Sequence, residues 1–365
     1  MVAPATMPAG ARRCFPFARW GTRAVVALGL LLAPALVRAA DPLAVASAPR
    51  RASTDVAITP QAETVVKGSL KWLASKQQPG GVWVPGKNST AFTSFALMAF
   101  MAAGHLPDEG EYGKHVARGL KYVTDAARPD GLICAPNDQN PMYTHGIATI
   151  ALGEAYGQTR DPAIRPKLQR AIKLIVDSQN AEGGWRYQPF KDQADISVTV
   201  LQVVALRVAK NSGLDVPQVT IDKAVEYVRK CYNKDQGGFN YQAHGGKAGF
   251  ARTAAAIYSL QVCGQYDDPL VMAGSKYLFD KYKDDREWFT YGMFYAAPAQ
   301  YMIGGDAWKR WYTQASEELL KSVKRERDMH YWTPIGSNGQ NDVYATSVYT
   351  MILAMPYHYV PLYQR

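Results

Sequence analysis

The chain has 365 residues, 47% hydrophobic and 20% charged, enough to bury one large core or two smaller ones. Its formal net charge of +10 overstates the basicity of the part that folds, because Arg12, Arg13, Arg19, Arg23 and Arg38 all stand in the first 39 residues, with no acid or lysine among them. The remaining excess is mild and spread along the chain, without the basic patch that nucleic-acid binding requires.

In chain order, the basic start is followed by an apolar run, Ala24–Val37, and a small-residue site, Val37-Arg38-Ala39. This is the layout of a secretory signal peptide, with an apolar run shorter than the roughly 20 residues of a membrane-spanning helix. Arg12-Arg13-Cys14-Phe15 is also similar to a twin-arginine signal. Residues 1–39 are therefore expected to be a signal peptide. The mature protein is expected to be exported, periplasmic or extracellular, and not integral to the membrane. Residues 40–60, rich in Ala, Pro, Ser and Arg, lack periodicity and read as a disordered linker. Outside the signal, Cys134, Cys231 and Cys263 are odd in number and irregular in spacing, which suits core thiols better than a disulfide framework.

Helical periodicity runs from residue 61 to the end and resolves into six helix pairs. The first members, Glu63–Lys76, Glu111–Ala127, Ala163–Gln179, Thr220–Tyr232, Pro269–Lys283 and Ala307–Arg327, are amphipathic and carry most of the charge. The second members, Thr90–Ala103, Tyr143–Tyr156, Ile196–Lys210, Phe250–Val262, Trp288–Ile303 and Val343–Met355, are apolar on most sides.

Within each pair lies a recurring turn: Gly80-Gly-Val-Trp83, Asp130-Gly-Leu132, Gly183-Gly-Trp185 and Gly237-Gly-Phe239. It degrades to Asp284-Asp-Arg-Glu-Trp288 in the fifth pair. In the sixth, Tyr331-Trp332 precedes Gly336-Ser-Asn-Gly339. Glycine lets the chain reverse through positive φ, and the aromatic covers the helix end. Aligning the second helices gives a column, Thr93, His145, Thr199, Thr253, Tyr291 and Thr346. Four residues earlier stand Ser89, Pro141, Asp195, Gly249, Glu287 and Asp342, mostly helix-capping types. Helices as apolar as the second members cannot line a wet concave face, so closure is expected: an all-α toroid of six inner and six outer helices. The aromatic tail Pro356–Tyr363 would cover the seam or one mouth.

This repeat, with its Gln179-x-x-x-Gly183-Gly-Trp185 phrase, resembles the prenyltransferase and squalene-cyclase repeat of the α/α-toroid proteins over residues 61–363. The resemblance implies a central cavity that takes long apolar chains, and one of three known chemistries. The prenyltransferase zinc site would need a cysteine where Ser197 stands and a histidine where Ala345 stands. The cyclase acid motif Asp-x-Asp-Asp-Thr is approached only by Asp192-Gln-Ala-Asp195, with Ala194 in the place of the central acid. The thioester motif is approached by Val262-Cys263-Gly264-Gln265, which lacks the glutamate. All three fail on residues, and nothing in the chain indicates a metal, nucleotide or flavin.

In such a ring the six inner N-termini point into one mouth and favour an anion there. The residues expected near it are Phe92, Tyr143, His145, Asp195, Ser197, Arg252, Trp288, Tyr291, Asp342 and Tyr344. Asp195, Asp342 and His145 are the catalytic candidates, and Phe92, Tyr143, His145, Ser197, Arg252, Trp288, Tyr291 and Tyr344 the ligand contacts. Against that, Asp195 and Asp342 are good helix caps, the aromatics suit packing, and His145 occupies a threonine position. Arg252, on an apolar stretch, needs an anion, either Asp195 or a ligand. Three functions stay open: a module that binds an isoprenoid, lipid or protein segment; a terpenoid-cyclase-like enzyme with a non-standard acid; and a carbohydrate-active hydrolase or lyase using paired carboxylates such as Asp195, Glu287 and Asp342.

Overall fold

A computed structural model of the chain describes residues 56–336 and 340–359. The expected signal peptide lies outside the described residues, as do linker residues 40–55 and loop residues 337–339. All described residues belong to the unit Pro49–Arg365. Val56 and Ile58, within the stretch read as a linker, rest against the core.

Six outer helices alternate with six inner ones. The outer set is α1 (Pro60–Lys76), α3 (Gly113–Asp125), α5 (Arg165–Ser178), α7 (Gln218–Lys230), α9 (Pro269–Lys281) and α11 (Gly305–Ser322). The inner set is α2 (Ser89–Ala102), α4 (Pro141–Thr159), α6 (Ile196–Asn211), α8 (Phe250–Val262), α10 (Phe289–Ile303) and α12 (Asp342–Ala354). Each inner helix packs on the next around the circle, and α12 packs on α2, so the ring is closed. Each outer helix sits over the joint between two inner ones, α1 covering the joint of α12 with α2. The sequence logic is plain in the burial: α6 hides residues on every side, whereas α5 hides Leu168, Ala171, Ile172, Ile175 and Ser178, a single stripe. The chain is an α/α toroid.

The turn phrase is an interlock rather than a simple reversal. Gly183 adopts φ +99°, and a Cβ there would lie 2.1 Å from the Lys223 carbonyl oxygen of the next outer helix. Gly81 repeats this against Arg118 at 2.3 Å. Gly184, expected to share the positive φ, instead gives room for Ala194. The Trp185 indole donates to the Ile175 carbonyl at 2.7 Å, as Trp83 does to Leu73. The column of threonines supplies the other half. The backbone N–H groups of Trp83, Trp185, Phe239 and Trp332 donate to the Oγ1 atoms of Thr93, Thr199, Thr253 and Thr346.

Two helix ends and one place in the repeat column differ from expectation. The expected helix end at Arg327 gives way to a hairpin, β3 (Lys324–Glu326) with β4 (Met329–Tyr331), that straps α1; Tyr331 stacks on Trp72 at 5.0 Å. Tyr232 belongs to a short hairpin, β1 (Tyr232–Asn233) with β2 (Gly238–Phe239), around the fourth turn. In the fifth pair the column lapses: Tyr291 lines the cavity, and neighbouring Thr290 takes the Ile335 N–H of the following loop at 2.8 Å, not the N–H of its own turn's aromatic. Of the tail, Tyr359 lies against Gly104 and His358 bonds Tyr301, at the C-terminal ends of α2 and α10, away from the inner N-termini.

Candidate functional site

Residues from the first two turns of all six inner helices surround one cavity of about 710 Å³, within the range of small-molecule sites. The wall is laid down by position along the helices. Asn88, Asn140, Gly249, Glu287 and Gln340, at or just before the N-termini, form the mouth. Phe95, Ile147, Leu201 and Ala255, five or six residues in, form the depth, roughly 8–9 Å further along the axes. Phe95 meets Phe294 edge-on at 5.2 Å and Tyr344 at 4.7 Å, so this side of the cavity is backed by rings.

One sector of the wall carries a polar cluster. Asp195 caps α6: its Oδ1 accepts from the Val198 N–H at 2.9 Å and from Ser197 Oγ at 2.6 Å. Its Oδ2 has no hydrogen-bond partner among the described residues, the nearest cation being Arg186 Nε at 3.6 Å. Burial pushes the Asp195 carboxyl above its usual range, opposed by the bonds from Ser197 and Val198 and by nearby Tyr241 and Arg186. Tyr143 reaches Ser197 Oγ from α4. Tyr291 reaches over α8 from α10 and donates to the Ser197 carbonyl at 2.7 Å. Tyr187 and Tyr241 meet hydroxyl to hydroxyl at 2.5 Å on the same side.

Of the residues expected at the mouth, Phe92, Tyr143, Ser197, Arg252, Trp288, Tyr291 and Tyr344 line the cavity. His145 does not. It is fully buried, takes the Ile133 N–H on Nδ1 at 3.1 Å and places Nε2 3.3 Å from the Ala171 carbonyl, doing for the second turn what threonine does elsewhere. Burial holds it neutral, with its pKa pushed down to about 4. Asp195 stands one layer behind the wall, reaching the cavity only through Ser197. Asp342 is the first residue of α12 and not its cap; Asn341 caps, accepting from the Tyr344 N–H at 3.0 Å. Arg252 is answered neither by Asp195 nor by an open space: it donates to the Lys247 carbonyl at 2.7 Å and pairs with Glu287 at 3.3 Å. Trp288, unlike the other turn aromatics, is 46% exposed at φ +53°, and Arg286 covers Phe289 in its stead, 3.4 Å from the ring centre.

Sequence reasoning missed Tyr187 and Tyr241, which reach the wall from loops read as merely polar, and the deep residues Phe95, Ile147, Leu201 and Ala255. A helix apolar all round gives no signal for which side faces the hole. The spacing of the turn aromatics does hold one for the loops, since Tyr187 and Tyr241 each lie two residues beyond the aromatic of a Gly-Gly turn. Among the described residues no three His, Cys, Asp or Glu side chains gather as a metal set, and no helix is long and apolar enough to cross a membrane.

A family model described as a domain of unknown function (DUF6288) matches residues 62–266. A drimenyl diphosphate synthase of Streptomyces showdoensis is 27% identical over 191 residues, which are 52% of this chain and 33% of that protein. The match thus spans about a third of the relative's length. Solved structures with a similar fold include an alpha-1,6-mannanase variant of Salegentibacter sp., with TM-score 0.59 and 8% identity over 81% of this chain and 99% of that one. A cellobiose 2-epimerase of Bacillus thermoamylovorans gives 0.60 and 10% over 80% and 98%. A type II terpene cyclase of Scytonema, in complex with geranylgeranyl dihydroxybenzoate, gives 0.54 and 13% over 82% and 98%. At these identities the structural likeness bears on fold alone, and the fold is that of a terpenoid-cyclase-like α/α toroid.

Proposed function

The chain belongs to the DUF6288 family, and from that premise we propose that it is an exported protein that holds a molecule with an apolar body and a small polar end in the central cavity. The division of the wall carries this reading. Polar groups gather at the mouth and on the α4–α6 sector, while the depth is Phe95, Ile147, Leu201 and Ala255. Burying an alkyl or isoprenoid chain there gains about 0.8 kcal/mol per CH₂, and the polar end remains at hydrogen-bonding groups.

Two enzyme readings receive less support from the wall. A cyclase acid has to touch the substrate, and Asp195 stands behind Ser197. A glycosidase needs two free carboxylates. The two that line the mouth are engaged, Asp285 by the Phe250 N–H at 2.8 Å and Glu287 by Arg252. The isoprenoid chain of geranylgeranyl dihydroxybenzoate, the substrate named for the Scytonema cyclase, supports an apolar body for the ligand.

The test is direct. Protein purified from its own host should release an apolar compound on solvent extraction, seen by native mass spectrometry as added mass. Leu201→Trp, which fills the depth, should fold and lose that mass. A full complement of bound compound in Leu201→Trp would remove the cavity as the site. A processed N-terminus near Ala39 on protein recovered outside the cytoplasm would support export, and an intact Met1 start on all recovered protein would end that part of the proposal.

A further inference from the structure

The hydroxyl groups on one sector of the cavity wall have their protons turned away from it. Ser197 has a single proton and donates it to Asp195 Oδ1 at 2.6 Å. The hydroxyl of Tyr143, in contact with Ser197 Oγ, must therefore be the donor in that bond. Tyr291 donates to the Ser197 carbonyl at 2.7 Å, a group that can only accept. Thr144, beside Tyr143, donates to Asp138. All four side chains line the cavity. Each of these four oxygens thus turns its proton away from the hole and offers it lone pairs, while in the Tyr187–Tyr241 pair one proton is spent on the bond between the two hydroxyls. The arrangement holds whichever way Asp195 ionises, because Oδ1 is already the acceptor for both Ser197 and the Val198 N–H, and a proton on the carboxyl would sit on the unpartnered Oδ2.

From this geometry we infer that the polar end of the ligand is a hydrogen-bond donor, a hydroxyl or an ammonium group, held by the Tyr143 and Tyr291 oxygens beside Ser197. This rests on the cavity reading above and makes it specific. An acceptor-only end such as a ketone or a carboxylate would meet lone pair against lone pair at these oxygens; desolvated polar groups without partners are what a site rejects most strongly. The one cation that lines the mouth among the described residues, Arg252, is already engaged by Glu287 and the Lys247 carbonyl.

The experiment compares four probes of near-equal chain length by calorimetric titration of the purified protein: decan-1-ol, decylammonium, 2-undecanone and decanoate. The alcohol or the amine should bind at least about tenfold tighter than the ketone and decanoate, and which of the two wins identifies the donor. Tyr143→Phe should bring alcohol and ketone together. Ser197→Ala, which leaves the Val198 cap bond in place and frees the Tyr143 proton to face the hole, should narrow the gap by improving the ketone. Equal binding of all four probes, or a preference for the ketone or decanoate, overturns the inference while leaving the cavity reading intact. No binding of any probe, with the variants folded, overturns both. An unchanged alcohol-to-ketone ratio in Tyr143→Phe and Ser197→Ala overturns the assignment to this sector.

Discussion

His145 shows how a residue type that suggests chemistry can be a fastening. Its ring takes the Ile133 N–H on one side and faces the Ala171 carbonyl on the other, and burial keeps it neutral down to about pH 4. An unfolded histidine takes up its proton near pH 6.5. Between those values the unfolded chain binds the extra proton, so this group makes stability fall as pH drops from about 6.5 to about 4, by at most about 3 kcal/mol, and contributes no further slope above or below. His145→Gln keeps an acceptor for Ile133 and should flatten that part of the curve in urea melts at stepped pH; an equal slope in wild type and variant would show that His145 is not the titrating group. Asp195 works in the opposite sense, since its raised folded pKa favours the protonated folded state over the unfolded one. The difference between wild type and His145→Gln isolates the histidine. The sequence exposed Asp195 as a cap, because the type and the place before an apolar run are a strong signal. It gave no means of telling Asn341 from Asp342, where two capping types stand side by side and the fit of one backbone turn decides.

At the scale of an element, the Gln-x-x-x-Gly-Gly-Trp phrase joins three helices. Gln179 Nε2 donates to the Gly183 carbonyl and, at the same 2.9 Å, to the Thr220 carbonyl in the first turn of α7. Gln77 does the same for Gly81 and the His115 carbonyl of α3. A carbonyl at a helix start has its own intrahelical donor, so these bonds add a tie between consecutive repeats. Gly183→Ala should cost about 2–4 kcal/mol, because the strained φ is compounded by a clash with backbone at Lys223 that no rotamer relieves. Gln179→Ala should cost about 1–3 kcal/mol. Chemical denaturation of both variants checks the order; a Gly183→Ala protein as stable as wild type would mean that the turn relaxes freely. Helix pairs were readable because their two members differ in polarity, and the ring because the inner members are apolar all round. That same uniformity hid Phe95, Ile147, Leu201 and Ala255, and it put Tyr291, which lines the cavity, in a column whose threonines hold the turns.

For the molecule as a whole, closure is made by three contacts between the last repeat and the first. The α12 helix packs on α2, Thr350 donates to Ser69 Oγ at 2.8 Å, and the β3–β4 hairpin lies along α1 with His330 filling the space that Gly68 leaves. An open array tolerates loss of a terminal unit, since each repeat needs only its neighbours. A ring does not. Ending the chain before Asp342 would strip one apolar face from both α2 and α10, and the product should lose its single cooperative unfolding transition and self-associate on size exclusion. A truncated chain that stayed monomeric with a sharp melt would show that the first five pairs stand alone. Because the hoop is shut, its girth is fixed by how many staves it has; a stave cannot be added without changing the angle at every joint. Diversity in what such a vessel holds therefore has to be written on the inner surface of existing staves, one side chain at a time, and not by lengthening the wall.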